Sequence, residues 1–128
     1  MHAATHTFRP EPAEVRHARE FVASLLAEAE LPTEQAELIT SELATNAVLH
    51  GRTDFRLDVD RDIDSIRISV FDAGGGWPCR RPPAGDSESG RGLRIVDHMA
   101  ERWGVTWNDP GKVVWAELSV PSDLAISA

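Results

Sequence analysis

Two runs of alternating apolar and polar residues most constrain how this chain can fold. FRLDVD, from Phe55, and SIRISVFD, from Ser65, are separated only by the polar stretch RDID. Because successive side chains of a strand point to opposite faces, each run predicts a strand with one apolar face, and together they predict a hairpin. The residues of this apolar face are Phe55, Leu57, Val59, Ile66, Ile68 and Val70.

Three further stretches are predicted to be helices, from helical spacing of apolar residues or from helix-end signals. The first is predicted from Ala13 to about Glu30, and the second from the N-cap Thr33 to about His50, with Gly51 as its C-terminal glycine. The third, GLRIVDHMAERW, spans 92–103. Alternating stretches at 5–8, 104–109 and 112–120 predict additional strands, the last two as a hairpin that turns at 109–111.

The predicted order is strand, helix, helix, strand, strand, long loop, helix, strand, strand. Helices segregated against a mostly antiparallel sheet indicate an α+β fold, a two-layer α/β sandwich. The 128 residues favour one domain, 1–128, with a core over about 5–120 and a loose tail at 121–128. Glycine, proline, serine and aspartate dominate 73–90, which predicts a loop inside that domain.

Composition limits the classes of function. The apolar runs are much shorter than a membrane span, and the N-terminus lacks the basic start and apolar block of a signal peptide. The single cysteine, Cys79, precludes an internal disulfide, so a reducing, cytoplasmic location is expected. The formal net charge of −8, without a dense basic cluster, argues against nucleic acid as the main ligand.

Familiar metal-binding patterns do not fit the sequence. The alternating aspartates of DVDRDID suggest a calcium loop, but an EF-hand that begins at Asp58 needs glycine where Ile63 stands and glutamate where Ser69 stands. A solvated hairpin turn is the simpler interpretation. The histidines lack HExxH spacing and Cys79 has no second thiol, so zinc is not predicted either.

The second helix carries a polar pair that is unexpected in a buried segment. SELATNAVLHG, from Ser41, is mostly apolar and small, yet it contains Glu42 and Asn46. Residues four apart lie on one helical face, one turn from each other. The helix therefore directs a carboxylate and an amide toward the same place.

Two glycine-rich segments lie at element ends. In FDAGGGW, Asp72 ends a strand, and the glycines that follow let the backbone come close to a ligand, so its carboxylate is a candidate acceptor for a ligand amine. In isolation, ordinary turn chemistry is the simpler explanation of Asp72. In SGRGLRI, Gly90 and Gly92 precede a helix start, where backbone N–H groups favour phosphate and Arg91 or Arg94 would add charge.

Taken in order along the chain, these three segments resemble those of the Bergerat-fold (GHKL) ATPases, the superfamily of gyrase, the ninety-kilodalton heat-shock chaperone, histidine kinases and MutL. SELATNAVLHG is most similar to the small stand-alone branch, anti-sigma factors that are serine/threonine protein kinases. The resemblance covers about 13–120. It implies a mixed, mostly antiparallel sheet covered on one face by helices.

The resemblance implies a role for each segment. Asn46 would be the Mg²⁺ ligand, and Glu42 would accept a proton from the attacking hydroxyl or orient it. Asp72 would bind the adenine amino group, with glycines at the pocket floor and a lid at 77–89 that closes over ATP. The floor residues are Gly74 and Gly76, and those at the phosphates are Gly90, Arg91, Gly92 and Leu93.

The same resemblance implies the activity and the partners. The protein would transfer the γ-phosphate of Mg-ATP to a serine or threonine of an anti-sigma-factor antagonist and would sequester a sigma factor. Neither direct nucleic acid binding nor a membrane is expected, and relatives dimerise through the sheet edge and first helix. A nucleotide-gated protein-binding module without phosphotransfer is the alternative. A detached histidine-kinase catalytic domain is disfavoured, because no dimerisation helix with a phosphoacceptor histidine is evident.

Some positions depart from the family or keep two interpretations. Many relatives begin the last strand pair with a small hydroxylated residue near the nucleotide, where this chain has Gly111 and Lys112, its only lysine. His50 matches a histidine of the small-kinase branch, or it closes the second helix. Arg16 and Arg19 face a protein partner or solvent.

Overall fold

A five-stranded sheet and two long helices form the described part of the molecule. The computed structural model describes residues 2–50, 53–73, 95–107 and 111–120. A third helix, α3, is described over residues 95–99. The other elements are β1 His2–Phe8, α1 Ala13–Glu28, α2 Glu34–His50, β2 Phe55–Arg61, β3 Ser65–Asp72, β4 Arg102–Trp107 and β5 Lys112–Ser119.

The strands lie in the order β1-β2-β3-β5-β4, and each neighbouring pair is antiparallel. β5 is therefore inserted between β3 and β4, although it follows both in the chain. The predicted α+β sandwich with a mostly antiparallel sheet is confirmed, and the hairpin of β2 and β3 pairs along its whole length.

One face of the sheet forms the core together with the helices. All six predicted apolar residues of β2 and β3 are buried, and Val114, Ala116 and Leu118 of β5 continue the same face. α2 packs directly on β2, β3 and β5, and α1 packs on α2. Burial of this face is the main stabilising term of the fold. The buried helix residues include Ala18, Val22, Leu26, Ile39, Leu43 and Ala47.

α1 ends two residues earlier than predicted, in a defined capping motif. Glu30 adopts φ 59°, in the left-handed region. The N–H of Leu31 donates to the carbonyl of Leu26, and that of Glu30 to the carbonyl of Ala27, at 2.9 Å each. This pair of hydrogen bonds is a Schellman motif, in which the left-handed position is usually glycine.

The third helix ends earlier than predicted, because strand pairing replaces its C-terminal part. The sequence prediction extended that helix to Trp103, but β4 already begins at Arg102. The N–H of Glu101 donates to the carbonyl of Glu117, and Trp103 pairs with Ala116 on β5. Pairing with β5 therefore determines the structure from Glu101 onward, although the sequence there has helical spacing. Gly51, 74–94, 108–110 and 121–128 lie outside the described residues.

Candidate active site

Asn46 is a buried amide without a protein partner. It lies on α2, which packs on the central strands, and only 5% of it is exposed. Neither its Oδ1 nor its Nδ2 has a hydrogen-bond partner among the described residues. Leaving a buried polar group unsatisfied costs about 1–3 kcal/mol. Such an amide calls for a partner other than the described protein atoms, such as a ligand or an ordered water.

Glu42 lies one turn before Asn46 on the same face of α2. Its side chain is half-buried. Burial raises the pKa of this carboxyl above its usual 4.5, because desolvation disfavours the charged form. A carboxylate with a raised pKa next to an unsatisfied amide is suited to accept a proton.

Ser41, the residue before Glu42, is tied to the first helix. Arg19 Nη1 donates to Ser41 Oγ at 3.0 Å in a partly buried contact. This hydrogen bond from Arg19 therefore links α1 to α2 beside Glu42. Arg16 has a different environment, since it is exposed and lies 3.9 Å from Glu20 in a loose ion pair.

Asp72 forms a buried ion pair with Lys112. Asp72 is the last residue of β3, Lys112 is the first of β5, and the two face each other in the strand register. Lys112 Nζ donates to Asp72 Oδ2 at 2.8 Å, and the two side chains are only 2% and 1% exposed. Phe55 of β2 is the neighbour of Asp72 on its other side. The three residues form a row across the interior face of the sheet.

The ion pair uses only one oxygen of the Asp72 carboxylate. Oδ1 is buried and accepts no hydrogen bond from the residues that the structure describes. An unoccupied acceptor at this strand end fits the predicted contact with a ligand amine. The Lys112 contact was missed by the sequence analysis. Its signal is the alternation of Lys112 with Val114, Ala116 and Leu118, which places the lysine on the buried face.

Gly111 permits the close approach of two backbone segments at this strand end. A Cβ at position 111 would overlap the Asp72 carbonyl oxygen and lie 2.8 Å from Ala73 Cα. Because both obstacles are backbone atoms, a side chain here would force β3 and β5 apart. This packing holds the first residue of β5 against the end of β3.

Chain connectivity brings α2 toward the same end of the sheet. His50 ends α2, and only four residues, 51–54, lead to Phe55, the first residue of β2. At about 3.3–3.6 Å per residue, the two Cα atoms are at most about 18 Å apart. Phe55 pairs with Asp72, so this connection limits how far the C-terminal end of α2 can lie from the strand end that carries Asp72.

The remaining predicted site residues fall outside the described part of the chain. These are Gly74, Gly76, Gly90, Arg91, Gly92 and Leu93, together with the predicted lid.

A groove of about 280 Å³ lies at the opposite end of the sheet, between β1 and the end of α1, and is lined by Ala3, Ala4, Leu25 and Val59 among others. None of the helices in the described ranges is long and apolar enough to cross a bilayer.

Comparison with known proteins identifies the family of the chain and a solved structure of similar fold. A family model described as Histidine kinase-like ATPase domain matches residues 8–118. The fold is similar to a crystal structure of the RsbU and RsbW domains of Rv1364c from Mycobacterium tuberculosis, with a TM-score of 0.74 and 17% identity. That match covers 94% of this chain but 33% of the other. No curated protein matched the sequence. The family-model match spans both long helices and the strands β2 to β5, and it shows that the chain belongs to the histidine kinase-like ATPase domain family.

Proposed function

We propose that this protein is an ATP-binding anti-sigma regulatory factor with magnesium-dependent serine/threonine protein kinase activity. The observation that carries the proposal is Asn46, a buried amide whose two polar atoms lack partners in the described residues. It lies one turn from Glu42, which burial predisposes to accept protons. A protein that only binds nucleotide needs no such base.

The residues present fit the ligands that family membership implies. Asn46 Oδ1 is a hard oxygen donor of the kind Mg²⁺ takes, alongside waters and phosphate oxygens. When bound, the ion would neutralise charge on the phosphates. Asp72 Oδ1 would accept from the amino group of adenine, while its Oδ2 stays on Lys112.

The remaining assignments come from the resemblance. Glycines after β3 would form the pocket floor, and the segment that opens the third helix would receive the phosphates through backbone N–H groups. The floor glycines are Gly74 and Gly76, and the phosphate-binding residues are Gly90, Arg91, Gly92 and Leu93.

Glu42 would take part directly in the transfer step. A serine or threonine oxygen of the substrate protein forms a bond to the γ-phosphorus, and the bond from that phosphorus to the bridging oxygen of ADP breaks. The hydroxyl proton passes to the Glu42 carboxylate, and ADP leaves with the bonding electrons. Positioning and charge neutralisation supply most of the acceleration, so the protein needs only a well-placed base.

The proposed partners are a sigma factor and an anti-sigma-factor antagonist. The similarity of SELATNAVLHG to the small-kinase branch supports this assignment, as does the fold likeness to a structure with an RsbW domain. The net charge of −8 is more compatible with protein partners than with DNA. A homodimer through the free edge of β1 and through α1 is part of the same proposal, and light scattering would test it.

Phosphotransfer to candidate antagonists tests the kinase assignment. The protein is mixed with Mg-ATP and each antagonist, and phosphoserine or phosphothreonine is sought by mass spectrometry. Glu42→Gln should lower the transfer rate by about 10²–10⁴-fold and leave ATP affinity nearly unchanged. If ATP alters antagonist affinity without any transfer, the protein is a nucleotide-gated binding module instead. If calorimetry detects no Mg-ATP binding to the folded protein, the proposal is wrong.

A further inference from the structure

Lys112 leaves Asp72 with a single acceptor atom for a ligand. Its ammonium group is 2.8 Å from Oδ2, and Oδ1 is buried with no hydrogen-bond partner in the described ranges. We propose that Lys112 is a positioning residue that fixes which atom of residue 72 meets the nucleotide base. With that orientation fixed, the atom left for the base is the acceptor Oδ1, which suits a 6-aminopurine better than a 6-oxopurine. This inference deepens the proposed function and rests on the same nucleotide site.

The position of Lys112 is fixed independently of any ligand. It is the first residue of β5, where it pairs with Asp72 on β3 and Trp107 on β4. Close packing of Gly111 against the Asp72 carbonyl holds the two strand ends together. Because both charged side chains are almost completely buried, separating them would leave an uncompensated charge in a low-dielectric interior. The ion pair is therefore part of the scaffold.

The chemistry of the Lys112 ammonium group determines which atom of residue 72 is left to contact the ligand. Lysine has three donors and no acceptor, so it always takes an oxygen from residue 72. With aspartate, the other atom is also an oxygen, which accepts from the 6-amino group of adenine. The 6-oxo group of hypoxanthine or guanine would instead bring two acceptors face to face.

Asp72→Asn separates the role of Lys112 from that of Asp72. In this variant the ammonium group can pair only with the amide oxygen, so the NH₂ group faces the ligand and a donor replaces an acceptor. The wild-type protein should bind Mg-ATP about tenfold or more tightly than Mg-ITP, which differs at position 6. In Asp72→Asn the preference should invert by a similar factor.

The matched control is the double variant Asp72→Asn/Lys112→Met. Without the ammonium group the amide is free to turn, so the ratio of ATP to ITP affinity should approach one. Calorimetric titration gives both ratios, and circular dichroism verifies that each variant is folded. Equal ratios in the single and double variants would show that Lys112 does not set the orientation.

A measurement on the wild-type protein does not depend on how the variants fold. Since Lys112 is the only lysine, ¹⁵N-lysine labelling gives one side-chain signal. An ammonium group held in the buried pair should remain visible and shift when Mg-ATP saturates the protein, with a smaller shift for Mg-ITP. Loss of the signal at saturation would mean that Asp72 leaves Lys112 to bind the base, which overturns the inference.

The outcomes distinguish this inference from the proposed function. If the wild-type protein binds no Mg-ATP, the nucleotide site itself is wrong. If it binds Mg-ATP but Asp72→Asn keeps the wild-type ratio of ATP to ITP affinity, the nucleotide site stands and the positioning role of Lys112 fails.

Discussion

Glu42 and Asn46 lie one turn apart on the same face of α2, yet they differ in burial. Asn46 is 5% exposed, while Glu42 is half-buried. Buried polar groups that lack partners are tolerated mainly where function requires them, because they reduce the stability of the free protein. Asn46 thus contributes a polar group without a described partner to a helix that otherwise packs on the sheet through apolar residues.

Replacing the unsatisfied amide should stabilise the ligand-free protein. We expect Asn46→Leu to raise the free energy of unfolding by about 1–3 kcal/mol and to abolish Mg-ATP binding, because the desolvated polar atoms are removed. Urea denaturation and calorimetry measure the two effects. Thr40 is the control, because it is equally buried but its hydroxyl donates to the Ala36 carbonyl. A stabilisation of similar size in Thr40→Val would contradict the explanation.

The raised pKa of Glu42 predicts a pH-dependent gain in stability from Glu42→Gln. Because the folded pKa lies above the unfolded value of 4.5, the folded state binds the proton more tightly, and Glu42 destabilises the protein as pH rises through that range. Glu42→Gln should therefore raise the melting temperature at pH 7, and the difference should shrink toward pH 4. Exposed Glu34, in the first turn of α2, is the control, because the helix dipole favours its carboxylate. A stabilising effect of Glu34→Gln at pH 7 would argue for a general charge effect instead.

Lys112→Met alone should destabilise the protein far more than the double substitution Asp72→Asn/Lys112→Met, which removes both charges. Removing one member of a buried pair costs about 3–5 kcal/mol, because the other charge is left uncompensated. Asp72→Asn/Lys112→Met should recover much of this loss. Urea denaturation of the single and double variants measures the coupling. Additive losses would mean that the two side chains do not interact in solution.

A side chain at position 111 should open the sheet beside the site. We expect Gly111→Ala to lower the free energy of unfolding by more than about 2 kcal/mol, since the new Cβ meets backbone atoms of Asp72 and Ala73. Gly104→Ala is the matched control on β4. Its Cβ would lie 2.8 Å from Trp115 Cζ2, a side-chain atom that can move aside. If Gly104→Ala proved the more harmful change by urea denaturation, the backbone explanation would be wrong.

The left-handed residue at the end of α1 offers a stabilising substitution. Glu30→Gly should raise the free energy of unfolding by about 1 kcal/mol, because a residue with a Cβ is strained at φ 59°. Glu28→Gly, within the last turn of α1, should instead lower it by a similar amount. Thermal unfolding of the two variants distinguishes the capping motif from a general effect of glycine.

The fold was predictable where the spacing of apolar residues in the sequence matches the side chains that the structure buries. The alternation of β2 and β3 directly predicted their buried face, and helical spacing together with end signals predicted that α1 and α2 exist. The start of β4 at Arg102 was not predictable, since it depends on pairing with β5, which local spacing does not encode. Asp72 was identified from its place before a glycine run, whereas its partner Lys112 was not, because their contact is set by the register of two strands 40 residues apart.

The insertion of β5 between β3 and β4 has a consequence for how the protein is made. On the ribosome, β1 to β4 emerge before the strand that joins β3 to β4, so β4 has no strand of the β1-β2-β3 sheet to pair with until β5 is made. Lys112 belongs to that last strand. Until β5 is made, the Asp72 carboxylate lies on the unpaired edge of β3 without its lysine partner. The buried Asp72–Lys112 pair therefore forms late in translation, in the same event that closes the sheet.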